Sequence, residues 1–119
     1  MDRARFEELV DEAMDELLPE FAGRLDNISL IVADKATPEQ LAKVGVRNPN
    51  NLLGLYEGIP LTERPRAYAG ALPDRISIFR LPIQAMSRTD DEIKNQVRNT
   101  VMHELGHYFG MTEADLRDF

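Results

Sequence analysis

The chain has 119 residues, which suits a single domain spanning 1–119, and its formal net charge is -7. This acidic balance, without a basic stripe, argues against nucleic acid as a partner, and no apolar run approaches the roughly 20 residues of a membrane helix. The absence of cysteine excludes disulfides, thiol catalysis and zinc–thiolate sites, and no secretory signal peptide is visible, so we expect a cytoplasmic protein.

The first two predicted elements are an amphipathic helix and a strand. Apolar residues recur at helical spacing over residues 6–18, acids fill the other face, and Pro19 marks the end. We interpret this acidic face as a solvated helix surface. Residues 28–33 (I-S-L-I-V-A) are mostly apolar and partly β-branched, which predicts a buried strand.

A short helix and a second strand are predicted in the middle of the chain. Thr37 and Pro38 resemble an N-cap followed by proline at the first helical position, and Gly45 suits the end of that helix. Residues 52–57 (L-L-G-L-Y-E) are then expected to form a strand. The segment that follows is rich in proline and glycine and predicts an irregular loop.

The last predicted elements are a third strand and a long helix. Residues 75–81 (R-I-S-I-F-R-L) alternate in a way that predicts a half-buried strand flanked by prolines. Thr89 and Glu92 fit a capping box, and Gly110 is the natural stop of the helix that follows. Every fourth residue forms an apolar stripe suited to packing on a sheet: Ile93, Val97, Val101 and Leu105.

The end of this long helix carries the only two histidines of the protein, His103 and His107, with Glu104 beside the first. On a helix the two histidines lie about 40° apart, one turn above the other, so their rings can converge on one ion. The carboxylate of Glu104 lies beside that face and can act on a water molecule. We interpret the cluster as a metal site rather than as two solvated histidines, because both histidines have metal-ligand spacing.

A third protein ligand is expected after the helix, because catalytic zinc generally takes three protein ligands and leaves a position for water. Gly110 can adopt a left-handed conformation and turn the chain back toward the histidines. Glu113 or Asp115 could then supply a carboxylate oxygen. These acids could equally belong to the first turn of a short final helix.

The stretch H-E-L-G-H-Y-F-G-M-T-E resembles the zincin metallopeptidases, whose extended pattern is H-E-x-x-H-x-x-G-x-x-[H/D/E]. With L-L-G-L-Y-E-G-I-P-L-T-E-R and L-P-D-R-I-S-I-F-R-L-P-I before it, the chain is similar to the bacterial minimal zincins. The resemblance implies an α+β fold, a minimal zincin-like domain whose small mixed sheet is packed by an N-terminal helix and a C-terminal active-site helix. It implies Zn²⁺ held by His103, His107 and Glu113, with Glu104 as general base. The larger zincins have histidine or aspartate where this chain has Glu113.

The function expected from this resemblance is zinc-dependent hydrolysis of peptide bonds in a peptide or protein substrate. Tyr56, Tyr68 and Tyr108 are the phenols available to stabilise the oxyanion. The alternative is a non-catalytic peptide- or protein-binding module on the same fold, with metal binding weak or lost. Pairing into a homodimer is left open.

Overall fold

The computed structural model describes residues 1–17, 28–58 and 74–110, and these residues form four helices and a three-stranded sheet. The helices are α1 (Arg3–Asp15), α2 (Pro38–Val44), α3 (Arg80–Ala85) and α4 (Asp90–Tyr108), and a short 3-10 turn covers Pro49–Asn51. The strands are β1 (Ile28–Ala33), β2 (Gly54–Glu57) and β3 (Asp74–Phe79). This small mixed architecture confirms the α+β fold expected from the sequence.

The strand order β1–β3–β2 makes β3 the central strand, parallel to β1 and antiparallel to β2. The interpretation of β1 as buried and β3 as half-buried was therefore wrong. In β1 only Ile28 is buried and Ile31 is 39% exposed, whereas every residue of β3 except Arg75 is buried. The apolar run of β1 instead fits an edge strand of the described sheet, because position in the sheet, rather than composition, decides how many sides are covered.

The two faces of the sheet carry two separate cores. On one face α1 and α4 pack over Ile76 and Ile78, and the apolar stripe of α4 is buried there as predicted. The other face carries a smaller cluster, and its members are Ala36, Leu41, Leu55 and Phe79. Because the stripe holds one side of α4 against the sheet, the polar edge of the same helix is fixed in direction.

The helix ends predicted from local sequence are confirmed. Thr37 begins α2 and Thr89 begins α4, each through a capping box, with Gln40 and Glu92 as the reciprocal partners. Gly45 ends α2 in the left-handed conformation, at φ 69°. The capping box at Thr89 fixes where α4 starts, and hence which of its turns reaches β2.

Helix α3 was not predicted. Residues 75–81 were expected to remain extended, but β3 ends at Phe79 and α3 begins at Arg80. Pro82 is compatible with this start because the first turn of a helix does not need the backbone N–H that proline lacks. Ile83 of the same helix is fully buried in the larger core, which explains why the chain turns here instead of extending the strand.

Three expectations from the sequence concern the extent of the domain, the membrane and the cellular location. The single-domain extent over 1–119 stays a prediction. Within the described ranges, no helix combines the length and apolar character that crossing a membrane requires. The cytoplasmic location likewise stays a prediction.

The last residue of β2, Glu57, ties this strand to its neighbours. Its carboxylate accepts hydrogen bonds of 2.8 Å from both Gln40 and Lys43 of α2, and it lies 3.3 Å from the Arg75 guanidinium. Burial opposes ionisation of Glu57, but the hydrogen bonds from Lys43 and Gln40 outweigh it, so the pKa of this carboxyl lies below its ordinary value.

This pKa shift predicts a pH dependence of stability. A carboxyl whose folded pKa lies below its unfolded value, about 4.3 for glutamate, stabilises the fold above that value and loses this contribution as pH falls through the folded pKa. In Glu57→Gln, urea unfolding measured from pH 7 down to pH 3 should therefore show a shallower loss of unfolding free energy. Asp11→Asn, a change at an exposed position of α1, is the control. An unchanged slope in Glu57→Gln would contradict the assignment.

Candidate metal centre

A cleft of about 810 Å³ lies along β2, between the polar edge of α4 and the end of α2. Its lining residues in the described part of the chain are Val44, Val46, Leu52, Leu53, Gly54, Leu55, Tyr56, Gly58, Asn99, Thr100, His103, Glu104 and His107. No lysine or arginine is among these described lining residues, so no basic side chain there opposes a cation.

Helix α4 brings the three motif side chains together on the cleft wall. The ring centroids of His103 and His107 are 5.1 Å apart with their planes at 78°, and both side chains are half-buried. Together with Glu104 they offer ligand atoms that all lie within 4.8 Å of one another. The convergence expected from one helical turn is therefore present.

Glu104 is held by the backbone of the neighbouring strand. It is 5% exposed, and its Oε1 accepts a hydrogen bond from the Tyr56 backbone N–H at 3.2 Å. Its Oε2 lies 4.0 Å from Nε2 of His107. One carboxylate oxygen is thus directed to β2 and the other toward the histidines. The Tyr56 contact joins residues 48 positions apart, so no local sequence pattern predicts it.

The contact between β2 and α4 is close because residue 54 is glycine. A Cβ atom at Gly54 would lie 2.4 Å from Cγ2 of Thr100 and 2.9 Å from the backbone oxygen of Ser77. Thr100 is buried, one turn before Glu104. The available signal was a glycine inside an apolar strand, which often marks a close backbone approach.

The donor set fits zinc. Neutral imidazole nitrogen is an ordinary zinc ligand, and the cluster offers two imidazoles with the Glu104 carboxylate beside them. Gly110, just beyond α4, has φ 85°, the left-handed conformation expected of a residue that turns the chain. Glu113 and Asp115, the two predicted sources of a third ligand, lie outside the described residues.

The tyrosines considered for the oxyanion have other contacts in the structure. The Tyr56 hydroxyl donates to Oδ1 of the buried Asp74 at 3.0 Å, which joins β2 to β3. Tyr108 is buried in the larger core and packs edge-on against Tyr56, with ring centroids 5.7 Å apart. Tyr68 lies outside the described residues. Both Tyr56 and Tyr108 therefore contribute contacts within the fold.

Comparison with known families adds to this geometry. The model of the zincin-like metallopeptidase family matches residues 25–119, which include the histidine cluster and the acids that follow it. The chain belongs to this family. Membership confirms the resemblance seen in the sequence and makes the chain a zincin-like metallopeptidase, with zinc as its metal and a peptide or protein as its substrate class. No curated protein matches the chain.

The close contact at Gly54 predicts a specific packing defect. In Gly54→Ala the new methyl group would displace Thr100 or the backbone of Ser77, and overpacking of this kind costs typically 1–3 kcal/mol of unfolding free energy. Urea denaturation measures this loss. Thr100→Ser removes the Cγ2 atom that the methyl group would meet, so the double variant should recover part of it. Wild-type stability in Gly54→Ala would show that β2 and α4 are not held at this distance.

Proposed function

We propose that this zincin-like protein hydrolyses peptide bonds with zinc as cofactor and Glu104 as general base. The observation that carries the proposal is the cluster of His103, Glu104 and His107, whose ligand atoms lie within 4.8 Å of one another on the wall of the cleft. The spacing that makes two imidazoles converge also leaves a buried carboxylate beside them. A site of this composition supports metal-assisted hydrolysis better than simple ion binding, which has no use for a base.

The proposed ligands are one ring nitrogen each from His103 and His107 and a carboxylate oxygen from Glu113. Bound zinc supplies Lewis acidity, which lowers the pKa of a water molecule toward about 7 and polarises the scissile carbonyl. The apolar stripe keeps α4 from rotating and so keeps both imidazoles directed into the cleft. Their placement is set before any ion arrives, which reduces the reorganisation that binding requires.

Glu104 is proposed to move the proton. Its Oε2, the oxygen nearer His107, takes a proton from the attacking water and passes it to the nitrogen of the leaving amine. Its Oε1 stays on the Tyr56 N–H throughout, so the carboxylate does not turn away between the two transfers. The two oxygens have different roles because β2 lies against only one of them.

The substrate backbone is proposed to lie along β2. The Phe79 N–H donates to the Leu53 oxygen at 2.9 Å, and the alternation of an antiparallel ladder then turns the backbone groups of Gly54 and Tyr56 away from β3. That side of β2 lines the cleft. An extended peptide added there would bring its carbonyl groups past Glu104.

The general-base role is tested by Glu104→Gln. The amide oxygen can still accept the Tyr56 hydrogen bond, so the site keeps its shape but loses its proton acceptor. Zinc affinity, measured by titration, should stay within a few-fold, while cleavage of a peptide library should fall by roughly 10²–10⁴. Asp91→Asn, on the exposed first turn of α4, is the matched control.

Two outcomes would contradict parts of the proposal. Equal cleavage by Glu104→Gln and wild type would remove Glu104 as the base. Zinc and peptide binding by the wild-type protein without any cleavage would favour the non-catalytic binding module.

The third ligand has its own test. Motif spacing selects Glu113, and loss of a metal ligand should weaken zinc binding by at least about tenfold, the lower end of what loss of a supporting partner costs. We therefore expect Glu113→Ala to lower zinc affinity by this factor, and Asp115→Ala to have much less effect. The reverse order would assign the ligand to Asp115. No effect from either change would indicate a two-histidine site completed by water.

A further inference from the structure

The side of the cleft away from α4 is aliphatic. The lining residues contributed by the segment from the end of α2 to the start of β2 are Val44, Val46, Leu52 and Leu53. Val44 is 43% exposed, while Val46 and Leu52 are half-buried and rest on the smaller core. We call Val44, Val46 and Leu52 the aliphatic wall. A single exposed valine is ordinary on a protein surface, but Val44 also lines the cleft that holds the histidines.

The aliphatic wall and the histidines lie on opposite sides of β2. Gly54 lies against Thr100, and Tyr56 donates to Glu104, so β2 and α4 run in the same direction along the cleft. The aliphatic wall instead adjoins the cluster on the other face of the sheet. An extended peptide paired with β2 would direct alternate side chains to opposite faces of the sheet. One set would face α4 and its histidines, and the other would face the aliphatic wall.

The charges nearby favour an uncharged occupant. Lys43, next to Val44 in α2, is paired with Glu57, which also contacts Arg75. No charged side chain is among the described lining residues on this side of the cleft. A charged substrate side chain placed against the aliphatic wall would lose hydration without gaining a partner, whereas an aliphatic one would remove apolar surface from water.

We propose that the aliphatic wall is a specificity subsite, and that the protein prefers peptides with an aliphatic side chain facing α2. This proposal rests on the proposed peptidase function and names the substrate class of that site. It assigns selection to Val44, Val46 and Leu52, none of which belongs to the histidine motif. Metal binding and peptide selection would then come from opposite sides of one strand.

The test uses capped pentapeptides that differ only at the central residue, which is leucine, asparagine, glutamate or lysine. Binding is measured on the full-length Glu104→Gln protein loaded with zinc, so that affinity is read without turnover. The leucine peptide should bind at least about tenfold more tightly than the glutamate peptide, the lower end of discrimination by an apolar pocket. Methyl resonances of Val44, Val46 and Leu52 should shift on binding.

A charge placed in the aliphatic wall should change the preference. In Val44→Lys we expect the leucine peptide to lose roughly tenfold in affinity and the glutamate peptide to gain. Leu81→Lys is the matched control, because Leu81 is 40% exposed on α3 and does not line the cleft. Thermal unfolding of both variants checks that the fold is intact.

The outcomes separate the subsite from the catalytic proposal. Leucine preference in binding, without cleavage by the wild-type protein, would keep the subsite and overturn the peptidase proposal. Cleavage without preference among the four peptides would keep the peptidase proposal and overturn the subsite. If sedimentation showed a dimer that Val44→Lys dissociates with no change in peptide preference, the aliphatic wall would be an interface between copies and the subsite would be overturned.

Discussion

The contact between β2 and α4 controls the geometry of the site. Two residues of the strand make it: Gly54, which has no side chain to hold Thr100 away, and Tyr56, whose N–H donates to Glu104. With a larger residue than Gly54, α4 would lie farther from β2. Without the Tyr56 N–H, the buried Glu104 carboxylate would lose a hydrogen bond. Strand β2 thus sets both the distance and the direction of the proposed base.

The opposite side of α4 makes this contact possible. Val97, Val101 and Leu105 are fully buried against the larger core, so the helix is held by apolar packing along its length. Burying a carboxylate is unfavourable unless it is hydrogen-bonded, and Glu104 meets this condition through a backbone donor. Packing at residues outside the described cleft lining therefore helps to hold Glu104 in place.

The sequence predicted what depends on neighbouring residues and missed what depends on pairing at long range. Thr89 begins α4 and His103 and His107 converge, because caps and helical spacing act within a few residues. The placement of β3 at the centre of the sheet required knowledge of which strands pair, and composition alone gave the reverse assignment. Gly54 carried a local signal of close approach, but its partner, Thr100, is far away in sequence and could not be named.

The backbone of Tyr56, rather than its side chain, orients Glu104. Any residue other than proline at position 56 supplies the same N–H, so the orientation of Glu104 does not depend on the tyrosine side chain. That side chain is used elsewhere, in the contacts with Asp74 and Tyr108. Gly54, two residues earlier on the same side of β2, turns its backbone toward the cleft. A peptide paired there would meet Glu104 about 6.6 Å along the strand, a spacing set by the strand repeat itself. One short strand at the edge of the described sheet would therefore both orient the base and fix the register of the substrate against it.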